Sequence, residues 1–289
     1  MLPIRLFSYW PLWLLYPLAE ACAFVSYHVL RYRKQVVVEN LSITFPEKSD
    51  AEIRRIARDF YRNFCQTIVE SVKAYRFNQN DWKKRVSLTN PEILTDYLDK
   101  DIPVIIMSGH TANWEWPAFA IGQQIGYSME FLYKPVKNAT FDRIMLALRT
   151  KHGGTAVPKD NAIREIIKRR RQPRLVGIIG DQLPAIGTEK LWFDFLNRET
   201  AFYVGAERIA TMTQYAVFYV NTKRIALGRY EVTFQPIAAP PYEKGQSGII
   251  ESYVKLLEGT IHRNPSDYLW SHKRWKYTKS DAEAVKASS

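Results

Sequence analysis

Two short apolar runs, PVIIM (103–107) and RLVGIIGDQ (174–182), each end abruptly in small and polar residues. An uninterrupted apolar run bounded by turn residues is the mark of a strand buried on both faces, so such a chain needs layers on both sides of its sheet. Helical periodicity surrounds these runs. Residues 49–75 begin with Ser49 and Asp50 as cap candidates, and Ile53, Ile56, Ala57, Phe60, Phe64, Ile68 and Val72 recur at helical spacing. Residues 138–154 read as a helix stopped by two glycines, 161–171 as another helix, and 248–265 as a helix ended by Asn-Pro. EFLYKP (130–135) is a further strand, and residues 215–222 and 229–237 alternate like antiparallel strands. This order predicts a single α/β domain with a mixed central sheet flanked by helices. The expected division is a membrane-attaching stretch over 1–34, the domain over 35–280 and a polar tail over 281–289.

Residues 6–30 carry Glu20 as their only fixed charge, with His28 as a titratable second. That length is close to the ~20 residues that span a bilayer. Tyr9, Trp10, Trp13 and Tyr16 gather at one end, as interfacial aromatics do. Arg31, Arg33 and Lys34 follow the stretch and only Arg5 precedes it, which places the bulk of the chain on the cytoplasmic side. A secretory signal would carry its basic residues ahead of a shorter apolar core. Pro11, Pro17 and Glu20 suit a helix lying in the headgroup layer. Spanning and lying-on both fit, and both attach the chain to a membrane.

Lys plus Arg number 41 against 29 Asp plus Glu, so the chain expects an anionic partner. No RRM, KH or helix-turn-helix signature directs that charge to nucleic acid. Cys22 and Cys65 form no CxxC and no spaced cluster, which argues against a disulfide framework and a zinc site.

The first apolar run leads into SGHTANWEW (108–116). On one regular helix, His110 and Glu115 would point about 140° apart and never meet. If His110 sits in the turn ahead of the helix, Glu115 on its first turns can point back to it. A carboxylate beside an imidazole holds one tautomer and stabilises the imidazolium, which makes His110 a candidate general base. The spacing alone is loose, since His262 and Asp267 repeat it at what reads as a solvated helix end. Context separates the two: His110 and Asp181 both stand at strand tips, and α/β sites form at the carboxyl ends of strands. GxSxG, HExxH, GxxxxGK[ST] and GxGxxG are all absent. A histidine base without a protein nucleophile points to activation of a substrate hydroxyl or of water.

Five pieces in order, over about residues 5–277, resemble the lipid A biosynthesis (late) acyltransferase family, within the His-x4-Asp/Glu glycerolipid acyltransferase group. They are the apolar N-terminus, SGHTANWEW, YKPVKNATFDRIMLALRTKHGG, GIIGDQLPAIGTEKLWFDFLNRETAFYVG and WSHKRWK. The resemblance implies transfer of a fatty acyl group from a thioester, usually on acyl carrier protein, to a hydroxyl of a membrane glycolipid. It implies a catalytic domain on the cytoplasmic side of the inner membrane, and no cofactor. His110 would be the base and Glu115 its orienting carboxylate. Arg149 would bind the acceptor or the oxyanion, and Asn113, Asp181 and Gln182 would line the substrate site. Many members have Asn-Pro at Asn138-Ala139 and Phe-Phe-Gly within FDFLNRETA, departures that bear on acceptor and chain length. The run KRRRQPR, with Arg169 and Arg170, is a candidate docking patch for an acidic carrier protein. An acyl-CoA donor with a mannoside, amino lipid or lysophospholipid acceptor fits the same residues. A basic membrane-tethered binding protein without catalysis is the reading from another class.

Overall fold

The computed structural model describes residues 2–133, 139–158, 162–243, 245 and 248–287. Helices α1 (Leu2–Tyr9) and α2 (Leu12–Phe24) run into a π-helical turn (Val25–Val29), then α3 (Lys34–Thr44) and the long α4 (Asp50–Ala74). There follow α5 (Gln79–Arg85), β1 (Val86–Leu88), α6 (Glu92–Leu98), β2 (Val104–Ser108), α7 (Glu115–Ile125), β3 (Met129–Tyr133), α8 (Ala139–Lys151), β4 (Gly154–Pro158), α9 (Ala162–Lys168) and β5 (Leu175–Ile179). The remainder is a hairpin, β6 (Lys190–Phe195) and β7 (Arg198–Tyr203), then α10 (Gly205–Thr213), β8 (Ala216–Ala226), β9 (Arg229–Ala238), α11 (Ile249–Arg263) and α12 (Lys279–Ala287). The seven-stranded sheet has the order β1-β9-β8-β2-β5-β3-β4. Strands β8, β2, β5, β3 and β4 are parallel, and β9 joins antiparallel to β8, so the sheet is mixed as expected.

β2 shows why the run PVIIM had to be buried twice. Val104 and Ile106 enter a core with α5, α6 and α7, while Ile105 and Met107 enter one with α3, α4, α10 and α11. Side chains alternate across a strand, so each face of the sheet receives every second residue. α4 starts on a capping box in which Ser49 and Glu52 satisfy each other's backbone N–H; of its predicted apolar face Ile53, Ile56, Ala57 and Phe60 are buried, Phe64 and Val72 are partly buried, and Ile68 is exposed. Gly153, with φ +80°, ends α8. The hairpin β6–β7 turns on Leu196 and Asn197, both at positive φ. Such a turn usually announces itself with Asn-Gly, which is why its sequence is silent. The Lys-Pro end of EFLYKP and Asn138 lie outside the described residues.

The stretch Leu12–Val29 is long and apolar enough to cross a membrane, yet here it packs along α4. Leu12, Leu15, Ala19, Ala23 and Tyr27 are buried on that side, while Trp13, Leu14, Leu18, Phe24 and Val25 are exposed. Its one charge is already engaged, since Glu20 accepts from Arg62 at 2.8 Å and from Gln66 at 2.9 Å. A helix docked on one side and greasy on the other suits the plane of an interface. Changing Trp13, Leu18 and Phe24 together to serine should move the protein from membranes to the soluble fraction, because these side chains support no core. Unchanged sedimentation with membranes would place the attachment elsewhere.

Candidate active site

Strands β2 and β5 pair in parallel with Ser108 opposite Ile179. Two residues beyond that pair stand His110 and Asp181, so the register brings them face to face. Asp181 Oδ1 lies 2.6 Å from His110 Nδ1, and its Oδ2 accepts the backbone N–H of His110 at 2.9 Å. Both glycines that precede these residues are there for close packing against α11. A Cβ on Gly109 would collide with Leu257, and one on Gly180 would stand 3.1 Å from the Tyr253 ring. Tyr253 also donates to the carbonyl of Ser108 at 2.8 Å, pinning the strand end.

The turn after His110 is held from outside. Ala112 has φ +51°, a left-handed conformation that costs an ordinary residue about 1–2 kcal/mol. Its N–H donates to the carbonyl of Asp267 at 2.8 Å, and the carbonyl of His110 accepts from Leu269 N–H at 3.1 Å. Asp267, expected on a solvated helix end, is instead largely buried and accepts from Asn63 at 2.8 Å. The repeat of the spacing at His262 therefore ends on an aspartate that packs against the His110 turn and helps shape it.

Glu115 opens α7 and is buried, but the pairing expected between it and His110 is not the one the fold makes. Glu115 Oε1 is 2.7 Å from Arg149 Nη2, and Oε2 accepts from Arg149 Nε at 3.3 Å. The reason is reach: strand register already supplies His110 with Asp181, and the last turn of α8 delivers a guanidinium to Glu115. Arg149 thus lies in the site rather than serving only as a helix-terminal cation. Asn113 is fully buried. Its amide donates to Glu70 at 2.7 Å and its oxygen accepts from Trp116 N–H at 3.0 Å, so it builds the start of α7. Gln182 is exposed beside Asp181.

Electrostatics follow from these contacts. Burial alone would disfavour the His110 imidazolium, but Asp181 outweighs it, with Glu115 adding and Arg149 opposing, and the imidazole is held above its ordinary range. Burial pushes the Asp181 carboxyl up, yet His110 and then Arg274 hold it below the usual carboxylate range. Arg274, from the WSHKRWK stretch, is 1% exposed and packs over the Phe202 ring at 4.7 Å. Sequence reading assigned it no role; two cations between two tryptophans was the available signal. Its neighbour His272 is pushed down to about 4, chiefly by burial, and stays neutral.

The basic run lies elsewhere. Arg169 pairs with Glu130 at 3.2 Å and Glu165 at 3.6 Å, and buried Arg174 meets Glu130 at 3.0 Å and carbonyls closing α9. This cluster sits before β5, whereas Asp181 follows it, about 20 Å away at ~3.3 Å per strand residue. The structure does not bring Arg169 and Arg170 to the site, because a strand's two ends face opposite edges of the sheet. Arg169→Glu should therefore lower the melting temperature, and exposed Arg170→Glu should not. A selective rise in KM for a carrier-protein donor at unchanged melting temperature would restore the docking role.

The bacterial lipid A biosynthesis acyltransferase family profile matches residues 4–277, almost the whole chain. The chain belongs to this family. It is 27% identical over 248 residues to lipid A biosynthesis acyltransferase 2 of Shigella flexneri, covering 84% of this chain and 77% of that one. It is 25% identical over 133 residues to the lipid A biosynthesis myristoyltransferase of Escherichia coli (strain K12), covering 46% of this chain and 41% of that one. The protein is an acyltransferase family member, and the His110–Asp181 pair stands within the matched region.

Proposed function

We propose that this acyltransferase moves a fatty acyl group from a thioester on acyl carrier protein to a hydroxyl of a lipid A precursor, at the cytoplasmic face of the inner membrane. The observation that carries this reading is the engagement of His110 Nδ1 by Asp181. It leaves Nε2, to which no described residue is bonded, as the basic nitrogen. The acceptor oxygen attacks the thioester carbonyl carbon while its proton passes to Nε2. The tetrahedral oxyanion then collapses, the carbon–sulfur bond breaks, and the departing sulfur takes the proton from Nε2. A thioester already carries a good leaving group, so no covalent enzyme intermediate is required. Arg149 Nη1 is not engaged by Glu115 and supplies positive charge for the oxyanion or for an anionic group of the acceptor.

The test is acyl transfer by the purified full-length protein, offered one acyl group on carrier protein and on CoA with a lipid A precursor as acceptor. Mass spectrometry of lipids from a deletion strain provides the cellular counterpart. An added acyl mass on the precursor, faster from the carrier, supports the reading. Preference for CoA with a different lipid acceptor would replace it.

A further inference from the structure

The acyl-transfer reading leaves the buried carboxylate of Glu70 unused. Glu70, in α4, is 0% exposed and is bonded from three separate elements. Its Oε1 accepts from Tyr16 of α2 at 3.1 Å. Its Oε2 accepts from Asn113 of the catalytic turn and from Tyr230 of β9, each at 2.7 Å. Arg224 stands 3.7 Å away, and the Glu70 carbonyl accepts from the Trp116 indole of α7 at 3.1 Å. One turn earlier on α4, Thr67 donates to the carbonyl of Ala112 at 3.3 Å. α4 therefore grips residues 112 and 113, next to His110, with the same face that receives the hydroxyl of a lipid-facing helix.

We propose that Glu70 is a positioning residue that couples α2 to the His110 turn through Tyr16 and Asn113, so that the lipid-facing helix is part of the catalytic unit and not only its attachment. Stability is a poor explanation for such a carboxylate. A buried charge is desolvated at large cost, and an apolar side chain of similar volume often serves a core as well or better. Three donors and a guanidinium around one carboxylate instead fix a unique arrangement of the elements that supply them. Tyr16 is seated tightly at its end of the relay. Gly228 leaves room for its hydroxyl, which a Cβ at that position would strike. At the other end, Ala112 holds an unfavourable left-handed conformation, so the turn depends on its outside contacts. Asn113 transmits the tie directly: its amide is on Glu70 while its oxygen accepts the Trp116 N–H in the first turn of α7, the helix that opens with Glu115. When α2 settles in the interface, its docking on α4 holds Glu70, Asn113 and hence the turn in the working arrangement.

This inference rests on the role given to His110, and its test separates the two. Full-length Tyr16→Phe removes one hydroxyl from the relay and keeps the ring. Full-length Glu20→Gln weakens different ties between α2 and α4, those to Arg62 and Gln66, and removes none of the three hydrogen-bond donors to Glu70. With the acyl-transfer assay, Tyr16→Phe should lower kcat about five- to tenfold at KM within twofold of wild type, while Glu20→Gln leaves both unchanged. Glu70→Gln, which cannot accept from all three donors, should fall further than Tyr16→Phe. The His110 imidazole resonances, followed by nitrogen-15 NMR, should move in Tyr16→Phe and not in Glu20→Gln. This arm reads the coupling even if the transferred group proves to be another. Wild-type kcat and unmoved resonances in folded Tyr16→Phe would overturn the relay. An equal fall in both variants would also overturn it, because helix docking as a whole would then be responsible.

Discussion

His110→Ala is expected to reduce acyl transfer by about 10²–10⁴-fold, the usual worth of a positioned general base, and to lower the melting temperature as well, because the buried Asp181 carboxylate loses its ring partner. The side chain is 13% exposed and its ring meets Trp114 edge-on at 5.2 Å, so truncation leaves a small gap near the surface instead of a core cavity. The loss should lie in kcat, since the imidazole acts on the proton that moves in the transition state. Single-turnover acylation of the precursor by the purified variant, followed by mass spectrometry, measures it directly. A folded variant retaining a tenth or more of wild-type turnover would remove His110 from the role of base.

Asp181→Asn should come close to the same loss, and its pH dependence carries the sharper information. The native carboxylate holds the Nδ1 proton and raises the imidazole above its ordinary range. A general base works only when neutral, so wild-type kcat/KM should fall as pH drops through that raised value, on the alkaline side of an unperturbed histidine at about 6.5. With asparagine the upward pull is gone while burial still disfavours the charged ring, so the acid limb should move to lower pH. Turnover on the alkaline plateau should drop on the order of a hundredfold or more, because an amide can present a donor to Nδ1 and select the wrong tautomer. Glu115→Gln gives the comparison. It breaks the pair with Arg149 and removes a weaker influence on His110, so its limb should move less. A larger displacement in Glu115→Gln than in Asp181→Asn would return Glu115 to the orienting role.

The site was legible in the sequence to different depths. His110 and Asp181 stood out because each closes an apolar run, and strand tips are where α/β sheets place chemistry. Arg149 stood out only through the family's motif order. Glu70 and Asn113's true contacts were not readable, because a polar residue on a helical or turn pattern carries no mark of the partner it will meet, and Arg274 was marked only as one of two cations between two tryptophans. Glu70 falls on a face of α4 that sequence periodicity makes ambiguous, and its donors come from positions 16, 113 and 230.

By itself the sequence determined the layering. Side-chain periodicity is a local property, so runs such as PVIIM and the α4 repeat declare their faces whatever else the chain does. The hydrophobic N-terminal stretch and the motif order likewise stand in the chain without reference to its folding. Partner choice was decided only by tertiary structure. Whether His110 meets Glu115, five positions away, or Asp181, 71 positions away, depends on the register of β2 against β5, and that register is set by the packing of both strands between two cores. The same holds for Arg169, whose charge is written in the sequence but whose edge of the sheet follows from strand direction. It holds too for α2, whose apolar length allows it to span, while its buried face and the bonds of Glu20 and Tyr16 lay it along α4. Hydrogen bonds and ion pairs act over a few ångströms, and only the folded chain brings such distant positions that close.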